Sequence, residues 1–312
     1  MKVARVVLLL FFLASLGARA IAHRDPLIVR YRGHWYFPAL RLYSGVVFEE
    51  TDALTPDYRK LAQSGRIRAL FPPIAYGPND ADETLAAPPP TAPDRRHWLG
   101  TDDRGRDVLV RLLYGMRVSF AFGLLTWAVS AVLGYAIGLV SGWRGGLVDL
   151  LGQRLVEITA AIPVLHVILF ALCLFRPSLW LLTVLWTAFG WLPFAAYARA
   201  EALRVREELF VQSARASGIG GWRLFTRHLL PHTLSPLRAL SPLVIGANIA
   251  VLAGLDFLGL GLPAPTASWG ELLRQGRENP QAWWLLVFPL GALVAVLLAL
   301  PFLRDVSREE GG

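Results

Sequence analysis

Cysteine occurs once in the 312 residues, at Cys173, so the chain can form no intrachain disulfide and no cysteine-based metal site. Charge is also scarce: Asp, Glu, Lys and Arg make up 17%, against about 25% in an average soluble domain. Hydrophobic residues reach 54%, the mean hydropathy is +0.46, and the apolar residues are gathered into long uncharged blocks. This excludes an ordinary cytosolic enzyme, a disordered chain and a disulfide-rich secreted domain. Lysine is nearly missing, with Lys2 and Lys60 alone, so the net charge of +8 and the pI near 10.1 come from arginine. Much of that arginine flanks the apolar blocks, where positive charge orients a membrane protein. No basic stripe is interleaved with exposed aromatics, which argues against single-stranded nucleic acid as a partner. The sequence holds no Gly-x-x-x-x-Gly-Lys-Ser/Thr phosphate loop, so ATP hydrolysis by this chain is not expected. No nucleophile triad, paired carboxylates or metal-ligand spacing stands out, and no internal or inverted repeat is visible. What remains is an integral membrane protein.

A bilayer core about 30 Å thick needs about 20 apolar residues in helix. Residues 118–140 carry no charge, 158–175 are uncharged apart from His166, and 177–198 are clean, with a kink expected at Pro193. Residues 239–262, interrupted by Asp256, and 279–303 supply two more spans. At the N-terminus, Lys2 and Arg5 precede an uncharged run over 6–18. It is short for a span and suits a signal-peptide core, with Ala18 and Ala20 as a cleavage site. Extended through Ala22, with arginines snorkelling to the interfaces, it serves as an uncleaved anchor, the reading favoured here. Either form exports the segment C-terminal to it, and the anchor gives six spans.

Orientation follows from Arg144 and Arg154, from Arg199, Arg204, Arg206, Arg215, Arg223 and Arg227, and from Arg304 and Arg308. The positive-inside rule puts residues 199–236 and both termini in the cytoplasm, the N-terminus if it is uncleaved. The expected organisation is an anchor or signal (1–22), an extracytoplasmic segment with an interfacial helix (23–116), a transmembrane domain (117–305) with its cytoplasmic loop (199–236), and a cytoplasmic tail (306–312). In the outer segment, residues 26–49 read as strands around an Arg32-Gly33 turn, and 72–93, with three consecutive prolines, as an extended linker. The expected fold is an all-α membrane protein of about six transmembrane helices with a small extracytoplasmic N-terminal lobe.

The cytoplasmic stretch 207–218 starts with Glu207 and Glu208 and ends at Gly218, matching the helix macrodipole and a C-terminal glycine stop. After Gly220-Gly221, a second short helix over 222–230 is expected to end at Pro231. Small residues at Ser213, Ala214, Ala216 and Gly218 permit close approach by another protein. This stretch resembles the coupling loop of ABC-importer permeases: Glu-Ala-Ala, three residues, Gly, nine residues, Ile, one residue, Leu-Pro. Those positions hold Gln212, Ser213, Ala214, Gly218, His228, Leu230 and Pro231. Ala214, Gly218, Leu230 and Pro231 match, while Gln212, Ser213 and His228 depart.

Upstream lies His97-Trp98-Leu99-Gly100-Thr101-Asp102-Asp103-Arg104-Gly105-Arg106-Asp107. Leu109, Leu112 and Leu113 then mark the apolar face of an interfacial helix, with Asp107 and Arg111 as an i,i+4 pair. The string, with Gly100, Thr101, Asp102, Gly105, Arg106 and Asp107 as its motif, resembles the segment leading into the membrane in second-subunit permeases for dipeptides and oligopeptides. Asp256-Phe257-Leu258-Gly259-Leu260-Gly261-Leu262-Pro263, Pro265, Ser268-Trp269-Gly270 and Gly276-Arg277 match the same family. The outer segment, with Arg30-Tyr31-Arg32-Gly33-His34-Trp35-Tyr36-Phe37-Pro38, resembles the subgroup that includes the microcin C permeases.

The resemblance implies a type I importer permease in a bacterial inner membrane, paired with a homologous second permease. Two ATPase domains, which hold the ATP and its magnesium, would dock on the coupling loops, and a periplasmic solute-binding protein would deliver substrate. No cofactor is expected on this chain. The Gln212–Gly218 helix would carry the ATPase motion to the spans.

Glu157, His166 and Asp256 are ionisable groups in or beside the spans, where such groups are costly and often functional. They keep open a stand-alone proton-coupled carrier, sensitive to Asp256→Asn or Glu157→Gln. A scaffold without a transport path is a third reading. His166 reads more simply as a hydrogen-bonded packing residue, and Trp143, Trp180, Trp283 and Trp284 as an interfacial belt.

Overall fold

The computed structural model describes residues 2–49, 55–219 and 221–305. Its helices are α1 (Lys2–Leu16), α2 (Ala18–Ile21), α3 (Tyr58–Gln63), α4 (Val108–Arg144), α5 (Gly146–Ala161), α6 (Val164–Leu174), α7 (Leu179–Gly190), α8 (Leu192–Arg206), α9 (Leu209–Ala216), α10 (Gly221–Leu224), α11 (Leu230–Phe257), α12 (Trp269–Glu278) and α13 (Trp284–Ala299). Three short strands, β1 (Ile28–Tyr31), β2 (His34–Tyr36) and β3 (Arg68–Leu70), precede α4.

Among the described residues, four helical stretches are long and apolar enough to cross a membrane: Val108–Arg144, Leu179–Arg206, Leu240–Phe257 and Trp284–Leu303. A fifth is α5 with α6, if that pair counts as one span; it bends by 67°. The sequence count of six is therefore not reached by length. The apolar part of α1, Val6–Leu16, is too short by itself, because Gly17 ends the helix with a turn. The span expected over 158–175 is broken where Ile162 turns extended before Pro163, as the residue before a proline tends to do. The helix is interrupted at Trp191, two residues before Pro193, so the span divides into α7 and α8 and the proline sits in the first turn of α8, where its missing N–H costs nothing. The interfacial helix and the first span are one helix, α4.

The chain divides into two compact units. The first comprises residues 1–8, 119–263 and 294–312. Here α4 and α8 meet along a glycine stripe spaced by four, Gly134, Gly138 and Gly142, which lies on one face because the helix repeats every 3.6 residues. A Cβ at Gly134 would land in the Trp191 carbonyl oxygen, at Gly138 in that of Ala195, and at Gly142 within 2.6 Å of that of Arg199. Backbone-to-backbone approach of this kind holds membrane helices together where lipid offers no hydrophobic drive. Asn248 links three helices, accepting from Trp186 Nε1 at 3.0 Å and donating to the Gly123 carbonyl at 3.4 Å. Arg199 grips Asp149 through two bonds, 2.5 and 2.7 Å, fixing α5 to α8. Gly138→Val should destabilise the protein by about 1–3 kcal/mol through overpacking. Gly254→Ala, where a Cβ meets open space, should not. Thermal midpoints in detergent compare the two; equal midpoints would refute the close-packing account.

The second unit comprises residues 9–118 and 264–293. Its sheet is antiparallel, in the order β2-β1-β3, with Arg30 opposite both Trp35 and Arg68. Arg32 and Gly33, both at positive φ, form the hairpin turn expected from the sequence. Alternation along β1 buries Val29 and Tyr31 against Phe48, Tyr58, Leu61 and Ile67. The stretch 72–93, expected to be an extended linker, forms neither helix nor named strand; it runs through turns at 78–79 and 83–84 and bends at 86–90, and bridges to Ala22 at Ile74 and to Arg106 at Ala81.

Candidate functional site

The coupling-loop residues lie in the first unit. Glu208 opens α9, its carbonyl accepting the N–H groups of Val211 and Gln212. Gly218, at φ +76°, closes it, while Ile219 N–H reaches back to the Ala214 carbonyl at 3.1 Å. That six-to-one bond around a left-handed glycine is a Schellman stop, and Ile219 and Ala214 pack on the same core cluster, the apolar contact that accompanies it. The cluster is built from Tyr135 and Leu139 of α4, Ala198, Ala202 and Val205 of α8, Val211 of α9 and Leu224 of α10. One face of α9 is thus anchored to two spanning helices, while Leu209, Gln212 and Ser213 are exposed on the other.

Pro231 does not end a helix, contrary to the sequence expectation. The chain runs from α10 through a π-helical turn, Phe225–Leu229, straight into α11, with Pro231 in the first turn of α11. Pro231 therefore lies inside a continuous helical run, and the wider π turn before it relieves its ring against the preceding carbonyls. Leu230 packs against the core cluster. His228 falls within the π turn, with its side chain outside the described residues, and the tail 306–312 is likewise outside them.

The motif residues from Gly100 to Asp107 lie in the second unit and form a tight hairpin. Asp102 N–H donates to the Arg106 carbonyl at 2.9 Å, Gly105 N–H to that of Asp102 at 3.0 Å, and Thr101 bridges to Asp107. Gly100 and Gly105 both take positive φ, and a Cβ at Gly100 would meet Trp284 Nε1 at 2.8 Å. The hairpin buries Thr101, Asp102, Arg106 and Asp107.

The expected Asp107–Arg111 pair is replaced by better partners. The Asp107 carboxylate caps α4, accepting Val110 N–H at 2.9 Å, and faces His97 Nδ1 at 2.8 Å. Arg111, with no exposed surface, pairs with Glu271 and lies 3.3 Å from Asp102. Arg106 bonds Asp102 at 2.6 Å and reaches Glu271 at 3.3 Å. Burial opposes the charge of Arg106, but the Asp102 carboxylate outweighs it and holds the guanidinium more firmly protonated than usual. Burial pushes the neighbouring Asp103 carboxyl up, reinforced by the charge of Asp102. Asp82, on the other side of His97 at 3.2 Å, is held low, first by the Thr84 hydroxyl.

The sequence did not point to Glu271 at all; Arg111 was expected to pair with Asp107, and Trp284 to join the interfacial belt. Ser268 caps α12 by accepting Glu271 N–H at 3.3 Å, so Ser-x-x-Glu reads as an ordinary helix start. The Glu271 carboxylate nevertheless turns to the arginines. Trp284 is buried, and its indole donates to the Thr101 carbonyl at 3.0 Å, so the belt reading fails for it; Trp180 and Trp283 are exposed. Trp143 packs on the core cluster, its ring tilted edgewise to Phe225.

Of the ionisable residues near the spans, Asp256 is buried and its carboxylate accepts Leu262 N–H at 2.6 Å. Around it, Gly259 at φ +77° ends α11 with both Schellman bonds, Gly259 to Asp256 and Leu260 to Leu255. A Cβ at Gly261 would overlap the Asp256 carboxylate, so the Phe-Leu-Gly-Leu-Gly string is a helix stop folded over its own aspartate. Glu157 is exposed and paired with Arg154, and His166 is exposed rather than packed between helices.

Residues 134–306, more than half of the chain, match the family described as binding-protein-dependent transport system inner membrane component. The chain belongs to that family. As a member of it, the chain is an inner-membrane permease component of an ABC transporter, a class that does not itself catalyse a reaction. It is 37% identical over 309 residues to the inner membrane ABC transporter permease protein YejE of Escherichia coli K12, covering 97% of this chain and 90% of that protein. It is 34% identical to the peptidoglycan transport system permease protein YejE of Agrobacterium fabrum, over 97% of this chain and 86% of the relative. Similarity extends to the dipeptide transport system permease protein DppC of Alkalihalophilus pseudofirmus, 31% identical over 77% of this chain and 79% of that one.

Proposed function

We propose that this permease is one of two homologous membrane subunits of an ATP-driven importer for peptides or peptide-like solutes, including cell-wall fragments. Two ATPase domains dock on the coupling loops of the permease pair, one of them on the exposed face of α9; ATP and magnesium stay on those subunits, and a periplasmic solute-binding protein supplies the substrate. Residues 199–236 and the C-terminus lie in the cytoplasm, and so does the N-terminus when it is kept as an uncleaved anchor. The observation that carries the reading is α9 itself, a short helix with an exposed outer face and an inner face anchored to α4 and α8. A push on that helix is a push on two spanning segments, which is what coupling ATP hydrolysis to alternating access requires. The substrate class rests on relatives whose names specify peptides, dipeptides or peptidoglycan.

The proton-coupled carrier finds no support in its own residues: Asp256 is committed to a helix stop and Glu157 to Arg154. Mass spectrometry of the tagged protein, gently extracted from its native membrane, decides between the two. Near-stoichiometric recovery of a second permease and ATPase subunits is expected; recovery of the chain alone, in a detergent that preserves such complexes, would return the carrier to first place.

A further inference from the structure

The outward face of the small sheet carries an arrangement that folding alone disfavours. Arg30 on β1 stands directly opposite Arg68 on β3, and both side chains are exposed. Like charges at facing cross-strand positions repel. Among the described residues, no carboxylate pairs with either one; the nearby Arg32 takes Glu49. On the other side of Arg30, the cross-strand neighbour is Trp35, 61% exposed, with the Arg30 guanidinium 5.5 Å from its ring centre. Ile28 and Leu70 form the next row, and the six residues Ile28, Arg30, Trp35, Arg68, Ala69 and Leu70 line a shallow recess of about 320 Å3.

We propose that this face docks the solute-binding protein through an acidic, apolar-tipped part of its surface. The inference rests on the importer reading, which places residues 23–116 on the side from which that protein arrives. Two guanidiniums at facing positions, with no carboxylate partner among the described residues, call for a carboxylate-bearing partner, and an acidic surface relieves their mutual repulsion on binding. Trp35, Ile28 and Leu70 supply the desolvated apolar centre that turns charge attraction into a specific contact; Trp and Arg are the side chains enriched at such centres. The concave recess suits a projecting side chain better than a flat surface. A bilayer of anionic lipid shares the charge chemistry and is the alternative to be tested.

The experiment uses the whole complex in nanodiscs of zwitterionic phosphatidylcholine. The probe is the solute-binding protein identified by cross-linking in the native membrane and then purified. The unaltered complex should bind it with an affinity that weakens steeply as salt rises. Arg30→Glu/Arg68→Glu should lower the affinity at least about tenfold and flatten the salt dependence. Trp35→Ala should lower the affinity without changing the salt dependence. Unchanged binding by both variants, in complexes that still elute as one species, overturns the docking assignment while leaving the importer intact. A charge effect seen only in nanodiscs containing phosphatidylglycerol, on lipid protection of β1 and β3 rather than on protein binding, overturns it in favour of a lipid contact. An unaltered complex that binds no such protein overturns the importer reading together with this one.

Discussion

Gly218→Pro should abolish substrate-stimulated ATP hydrolysis by the assembled complex while leaving the amount and dispersity of the membrane-inserted chain unchanged. Gly218 sits at φ +76°, and the proline ring fixes φ near −65°, so the left-handed end of α9 cannot form. Losing it removes the Ile219-to-Ala214 bond and swings Ile219 out of the cluster that joins α9 to α4 and α8. Membrane insertion should survive, because nothing lies within 4 Å of where a Cβ would stand at Gly218. Gly218→Ala is the graded variant: the space is open, and only the left-handed backbone is penalised, by about 1–2 kcal/mol. Partial stimulation is expected from it. The readout is ATPase rate with and without loaded binding protein, and full stimulation in the proline variant would refute the coupling role of α9.

Much of this loop was legible because local rules decide it. Acidic residues before α9 and a glycine after it are terminal signals that need no tertiary partner, and the Arg32-Gly33 turn is of the same kind. Pro231 misled because no local pattern announces the π turn that lets the helix run on through a proline. The bend between α5 and α6 is different: Pro163 marks it locally, but the hydropathy of the run reads as one continuous span.

What stayed illegible depends on partners distant in sequence. The four-residue spacing of Gly134, Gly138 and Gly142 is plain in the chain, yet only the path of α8 shows why a Cβ is excluded there. Trp284 looks like any interfacial tryptophan until Thr101 is found beneath its indole. Motif reading placed Asp102 and Arg106 together but supplied only half of their cluster, because Glu271 is 165 residues from Arg106 and disguised as a capping residue.

That cluster carries the largest stability effect. Asp102, Arg106, Arg111 and Glu271 are all buried, and their formal charges cancel. Arg111→Met leaves one uncompensated negative charge out of water, and Glu271→Gln one positive charge. Removing one member of a buried ionic group typically costs about 3–5 kcal/mol, more than the intact group contributes. Arg111→Met also forfeits the donations to the carbonyls of Pro78 at 2.8 Å and Thr266 at 3.2 Å, which tie the turn at Pro78 and the segment preceding α12 to α4. Its thermal midpoint should therefore fall furthest, with protease cleavage appearing in residues 72–107. The double variant Arg111→Met/Glu271→Gln restores neutrality, because Asp102 and Arg106 remain paired at 2.6 Å. Its loss should be smaller than the sum of the two single losses, since residues in one ionic network do not act independently. Strict additivity in a thermal double-mutant cycle would mean that the four charges do not form one neutral unit. It would leave the carbonyl ties of Arg111 as its whole contribution.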